Sequence, residues 1–521
     1  MSKKPATASR STLVLMAATS LSRILGFVRN AVVGALFGQT WKADVLNAVF
    51  NIPFNLRKLM AEGALSTAFI PVLAQSIEED PTLQKSKDLA RSILTFQLLI
   101  LIPLILLAIL FAAPIISLLA PFSVPEKQLL AVHLFRWFIL YLVLVSVAAV
   151  LMAVLNTHHH FGSPAVSPIL FSISVIGFLI WLYPTMNVDA QIPGVLIGGF
   201  AQVVFQGFFF KKLGYSFKPK KHFWTPELKK TIKNWLPALS ISGIALISQQ
   251  ISISLAALLP EGSVSSLMNA IVFWQLPNGV LAASIVTVYF PRMSRQVAQK
   301  DWEGVSRSMT QGLEFQALLL IPAGFLMALF SGPLISLAFQ RQNFTFSDTQ
   351  VTSGVLSILS WGLFTSGLFN YLQRFFFSQG NFRTPFWVNI VWASVDLVVS
   401  VVLMNTPLHV MGLAWGTVVS FFVSSVVMLL LAWRTLDKKR LQEYLLFTLK
   451  VILSLLPAWG LWELLYHFTG IWWSKGLTLL SVGLFVGEGL ATFGLILLVL
   501  VLLGIRPWRM LRRNPKEENP A

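Results

Sequence analysis

Residues 21–38 read LSRILGFVRNAVVGALFG, an apolar run that nevertheless holds two guanidinium groups, Arg23 and Arg29. An arginine in mid-span costs about 2.5–3.5 kcal/mol on insertion scales, so it needs a partner or a polar cavity. At roughly 100° per residue, Thr19, Ser22, Arg23, Gly26, Arg29 and Asn30 fall in one sector about 120° wide, with Gly26 near its middle. The reading is a polar face inside a membrane, with a bare patch where a ligand or another helix can approach.

The segment that follows, DVLNAVFNIPFNLRKLMAEGALS over 44–66, places Asp44, Asn47 and Asn51 on one side before Pro53. Proline removes a backbone donor and is expected to break or kink the helix there. Beyond it lie Arg57, Lys58 and Glu62, the last two at ion-pair spacing. These charges could simply neutralise one another between packed helices, or Lys58 could snorkel to an interface. Against that, the three arginines exceed the nearby carboxylates, and a surplus of buried positive charge implies an anion. Planar guanidinium groups clamp phosphate bidentately, so Arg23, Arg29 and Arg57 suit a diphosphate better than an organic cation.

The rest of the chain agrees with a membrane setting. Of 521 residues, 55% are apolar and 12% charged, against a charged fraction near a quarter in soluble domains. Apolar segments near 12–37, 45–77, 89–120, 128–155, 164–184, 191–212, 231–258, 263–291, 308–339, 348–378, 384–405, 409–433, 442–468 and 478–504 predict about fourteen helical spans, an all-α polytopic membrane protein. The net charge of +18 gathers in short gaps between spans rather than on one soluble face, so it does not indicate nucleic acid. With the N-terminus inside, the basic loops fall on the cytoplasmic side, which places both termini there. Cysteine is absent, which excludes disulfides, thiolate metal sites and a cysteine nucleophile. No nucleotide-binding glycine loop of the GxxxxGK[ST] type is present.

Weak self-similarity appears at an offset of about 220 residues: HFGSPAVSPI (160–169) matches NFRTPFWVNI (381–390), and AFIPVLAQ (68–75) matches VYFPRMSR (288–295). The expected organisation is an N-lobe at 1–212, a basic linker at 213–230, a C-lobe at 231–433 and a C-terminal helix pair with its tail at 434–521. His158, His159 and His160 point in different directions and are read as solvated, not as a metal site. Asn389 and Asp396, seven apart, share a helix face that could serve a sodium ion or proton; a hydrogen-bonded buried Asp is an equal reading. Charged groups toward span ends, including Arg136, Arg374, Lys450, Glu463 and Glu488, are assigned to snorkelling.

The stretch from Leu21 to Gly38, followed by ADVLNAVFNIPFNLRKLMAEGALSTAFIPVLA (43–74), resembles the N-terminal signature of the MurJ (MviN) lipid II flippases. Weaker echoes run through FWQLPNGVLAASIVTVYFPRMSR (273–295), FQRQNFT (339–345) and GNFRTP (380–385). The resemblance implies the fold of the multidrug/oligosaccharidyl-lipid/polysaccharide exporter superfamily. It also implies movement of an undecaprenyl-diphosphate-linked peptidoglycan precursor to the outer leaflet of the bacterial cytoplasmic membrane. No cofactor is expected, with sodium or proton coupling left open. Carried over by position, Arg23, Arg29 and Arg57 would hold the diphosphate, while Ser22, Asp44 and Glu62 match other functionally sensitive positions. The last two helices would form a groove for the lipid tail, and cell-wall synthesis proteins are candidate partners.

The chain departs from the family where an Asp-Arg pair usually precedes the Gln-Leu-Pro segment: here stand Ile271 and Val272, and Asn30 replaces a frequent acid. Either the N-lobe arginines suffice, a group such as Arg374 substitutes, or the cargo is a related lipid-linked one. The expected mechanism is alternating access driven by membrane potential. The competing classes are an exporter of another polyprenyl-diphosphate oligosaccharide, a cation-coupled drug antiporter needing cavity acids, and a non-transporting scaffold.

Overall fold

The computed structural model describes residues 6–57, 64–433, 438–473 and 475–508; Lys58 and Glu62 lie outside them. The described residues form helices joined by short turns, with no strand among them. In order these are α1 (Ala6–Phe37), α2 (Trp41–Arg57), α3 (Ala64–Glu79), α4 (Gln84–Leu110), α5 (Ala112–Leu119), α6 (Pro125–Phe138), α7 (Tyr141–Thr157), α8 (Gly162–Met186), α9 (Gln191–Lys212) and α10 (Pro226–Ala257). There follow α11 (Ser263–Pro277), α12 (Ala283–Ala298), α13 (Trp302–Leu329), α14 (Ser331–Phe339), α15 (Phe346–Trp361), α16 (Leu363–Ser378), α17 (Arg383–Met404), α18 (Val410–Ala432), α19 (Lys438–Leu453), α20 (Leu455–Trp473) and α21 (Leu479–Leu502).

Among the described residues, ten helical stretches are long and apolar enough to cross a membrane, or eleven if the pair α15 and α16, bent by 43°, is one span. That is fewer than the fourteen expected from apolar runs. One stretch, Gly162–Lys212, holds two helices, α8 and α9, packed on each other. Helix α2, with 17 residues, and the apolar part of α10, Gly243–Ala257, are shorter than these stretches.

The element order repeats. A 32-residue helix opens each series, α1 and then α10. Each series later breaks into a long and a short helix (α4 and α5; α13 and α14), then a split pair (α6 and α7; α15 and α16), then a tight hairpin (α8 and α9; α17 and α18). The sequence matches at 160–169 and 381–390 fall at the start of corresponding hairpins. Local chemistry sets several of these starts. Thr225 caps α10 by accepting from the Leu228 N–H with Pro226 at the first turn, Asp301 caps α13, and Thr345 and Thr478 build capping boxes with Asp348 and Ser481.

The chain divides into two compact units, Met1–Ser265 and Ser266–Ala521. Helix α10, the first of the second series, packs on α2, α3 and α5 within the first unit. The core of that unit includes Phe69, Leu73, Leu89, Leu151 and Phe210. In the second unit Met293, Met309, Leu313, Tyr371, Phe375 and Met428 interlock, and Phe325, Val451, Leu455, Ala458, Ile496 and Leu500 fasten the C-terminal helices to α13. Methionine fills irregular gaps between helices here because its unbranched chain adapts.

Candidate functional site

Helices α1 and α2 build the site from inside the first unit. Helix α2 runs through Pro53 to Arg57, so of the expected break or kink the break does not occur. A proline deletes one ladder hydrogen bond, and burial of Ile52, Pro53 and Asn55 against neighbouring helices holds the turn. The helical phase therefore carries across, and Asn47, Asn51 and Asn55 form a single polar row at four-residue spacing. Asn51 and Asn55 are buried, and the Nδ2 and Oδ1 of Asn55 and the Nδ2 of Asn51 lack hydrogen-bond partners among the described residues.

Arg29 is held between aromatic faces. Its guanidinium carbon lies 5.7 Å from the ring centroids of both Phe50 on α2 and Phe171 on α8, an arrangement in which ring quadrupoles offset part of the cost of a desolvated cation. Tyr141 and Arg57 act on it electrostatically, so two of the three expected arginines share one neighbourhood. Arg57 stacks over Phe54 of its own helix at 4.5 Å. Arg23 is exposed and Ser22 half-buried on the same face of α1, and a Cβ added at Gly26 would meet nothing within 4 Å. The bare patch read from the helical wheel is thus open space beside the cations.

Asp44 does something else. Its carboxylate accepts the backbone N–H groups of Gly262 at 2.7 Å and Ser265 at 2.8 Å. Asn47 donates to the Ser265 hydroxyl at 3.1 Å, and Glu261 accepts the Trp41 N–H at 2.6 Å. Asp44 therefore latches the start of α2 to the turn at 261–265. Phe50, Phe171, Glu261, Gly262 and Ser265 were not singled out by sequence reasoning. An aromatic on an apolar helix carries no mark of the cation it will cover, and backbone donors leave no trace in residue type.

The second-unit candidates are placed as follows. Asn389 donates to the Pro385 carbonyl of its own helix at 2.7 Å, and Asp396 accepts from Thr417 at 3.4 Å. Two helical turns, about 10.5 Å along the axis, separate their backbone positions. No group of three His, Asp or Glu residues able to hold a metal occurs among the described residues. Ile271 and Val272 are half-buried on α11, and Arg374 is exposed with its guanidinium 5.5 Å from the Phe377 ring.

The three histidines end α7. His158 Nε2 lies 2.7 Å from the Tyr215 hydroxyl, which donates to Ser86 at 3.0 Å, while Ser86 donates to the Leu83 carbonyl at 2.8 Å. Each oxygen's proton is thereby committed, which makes Nε2–H the donor of His158. Burial, then the neighbouring His160 and His159, holds the His158 imidazole below its usual range, and burial raises the Tyr215 phenol. His159 and His160 are exposed.

Residues 33–483 match the family described as "Lipid II flippase MurJ". The chain belongs to the MurJ family. The "Probable lipid II flippase MurJ" of Borreliella burgdorferi is 30% identical over 506 residues, 97% of this chain and 98% of the relative. That of Treponema pallidum is 28% identical over 468 residues, 87% and 88% of the two chains. Among solved structures, "Lipid II flippase MurJ, inward closed conformation" superposes with a TM-score of 0.76 at 22% identity, covering 94% of this chain and all of that one. A multidrug resistance MATE family transporter of the MOP superfamily, inward-facing, shares the fold at a TM-score of 0.66 and 13% identity, over 81% of this chain and 98% of that one. The resemblance read from 21–74 thus extends to nearly the whole MurJ-family length.

Proposed function

We propose that this MurJ-family chain is a lipid II flippase of the bacterial cytoplasmic membrane, both termini cytoplasmic, in which Arg23, Arg29 and Arg57 bind the diphosphate of the lipid-linked precursor. The observation that carries the reading is the Arg29 and Arg57 neighbourhood, beside the open space at Gly26. An oligophosphate carries charge of the sign that this pair of cations attracts, and guanidinium forks match its oxygens. A cationic drug would meet repulsion there. Asn51 and Asn55, with unspent amide groups, suit the sugar and peptide portion of such a headgroup.

In this reading the polyprenyl tail stays in lipid while the headgroup crosses by alternating access. With the cell interior negative, outward movement of two negative charges is downhill by about 4–5 kcal/mol per 100 mV. The return of an empty, positively charged site is driven inward by the same field. Membrane potential then powers both half-cycles without a cofactor or coupling ion.

The test is rescue of a conditional lipid II flippase mutant by wild type and by Arg23→Ala, Arg29→Ala and Arg57→Ala, with membrane levels measured for each. Rescue by wild type and its loss in well-expressed arginine variants is expected. Failure of well-expressed wild type would transfer the proposal to another polyprenyl-diphosphate cargo. Flipping by reconstituted protein that ignores an imposed potential would overturn the energetic account.

A further inference from the structure

Glu488 stands ten residues into α21, among LLSVGLFVGEGLATFGLILLVLVL. At 1.5 Å per residue it lies about 14 Å from the helix start, near the middle of a hydrocarbon layer about 30 Å thick. Snorkelling, the reading made for it from sequence, does not describe this position: only 5% of the residue is exposed, on the stripe formed with Ser481, Thr492, Ile496 and Leu500. Both carboxyl oxygens are buried and meet no hydrogen-bond geometry among the described residues.

The groups facing it are neutral. Helices α13, α14 and α20 pack against α21, and α21 holds no other titratable residue. Helix α14 holds none. On α13, Glu303 pairs with Arg307 at 3.0 Å and Glu314 lies by Tyr444 of α19. On α20, Glu463, Tyr466 and His467 are exposed. What α20 does turn toward Glu488 is the Thr469 hydroxyl, whose proton is already given to the Leu465 carbonyl at 3.0 Å. One turn away, Phe485 and Trp462 meet the same ring of Phe330, and the Trp462 N–H also lacks a partner among the described residues.

We propose that Glu488 is a proton-binding site at the membrane mid-plane, holding a neutral carboxylic acid between α20 and α21 whose ionisation would part the two helices. A carboxylate left there unpaired would have to find water, and opening the α20 and α21 contact is the route to it. The site lies in the second unit and involves none of the arginines, so its test is independent of the cargo.

The experiment is carbodiimide labelling of the full-length protein in proteoliposomes, read by peptide mass spectrometry. Dicyclohexylcarbodiimide is apolar and reacts with protonated carboxyls, whereas an acid with the ordinary pKa near 4.3 is ionised beyond about 99% at pH 7. Glu488 is expected to carry the acylurea adduct at pH 7 at least tenfold above Glu463, with labelling falling toward pH 10. Glu488→Gln should abolish the adduct while keeping the melting temperature, because the amide reproduces the neutral group. Labelling at pH 5 that vanishes by pH 7, or no adduct at Glu488 at any pH while Glu463 labels at pH 5, would overturn the proposal.

Discussion

Removing the Asp44 carboxylate should loosen the turn at 261–265 more than any other single change at the start of α2. In Asp44→Ala the N–H groups of Gly262 and Ser265, now bonded at 2.7 and 2.8 Å, lose their common acceptor. Hydrogen bonds to a charged group are worth about 1.5–3 kcal/mol each, so the pair accounts for about 3–6 kcal/mol. At about 1.4 kcal/mol per decade that corresponds to a local opening constant raised roughly 10²- to 10⁴-fold. Asp44→Asn keeps one carbonyl acceptor but turns an amide donor toward the other N–H, so it should lose about half as much or more. Hydrogen–deuterium exchange of peptides spanning 258–268 in nanodiscs reads this directly. Exchange in Asp44→Ala within threefold of wild type would refute the latch.

Gly412→Ala should cost about 1–3 kcal/mol by overpacking, because the added methyl would lie 2.6 Å from the Leu403 carbonyl carbon, which is backbone and cannot swing away; a thermal melt measures it. Gly26→Ala should leave the melting temperature unchanged, since its methyl meets open space, whereas Gly26→Trp fills that space and should abolish rescue at normal membrane levels. Acid should weaken the His158 contact. The folded imidazole sits below its reference value of 6.5, so the unfolded chain takes the proton first; stability present above about pH 6.5 is lost as pH falls toward the folded value. Melts from pH 7.5 to 5.5 should show a slope that shrinks in His158→Gln.

Helices proved more legible than their continuity. Apolar length predicted a helix over every described segment, because a lipid-facing stretch must satisfy its backbone internally. Breaks at Phe111, Phe330 and Gly362 divide those segments through packing that residue type does not announce. The polar face of α1 was readable because charge in an apolar run is costly and so conspicuous. Its aromatic companions were not, since Phe50 and Phe171 differ in no visible way from phenylalanines that merely fill space. Asp44 stood out as an acid in an apolar run, but its partners did not, because they are backbone amides more than 200 residues away.

The aromatic faces around Arg29 bear on a difficulty every carrier of an anion must solve, which is how to travel without it. A bare guanidinium in a low-dielectric site would pull in water or a stray carboxylate. Two phenyl rings give it resident company that is electron-rich yet carries no charge and accepts no proton. Ring faces offer nothing to the N–H groups as acceptors of a full charge, so under the proposed function these groups would be the part a phosphate grips. Such a seat stays cationic when vacant and releases nothing when filled.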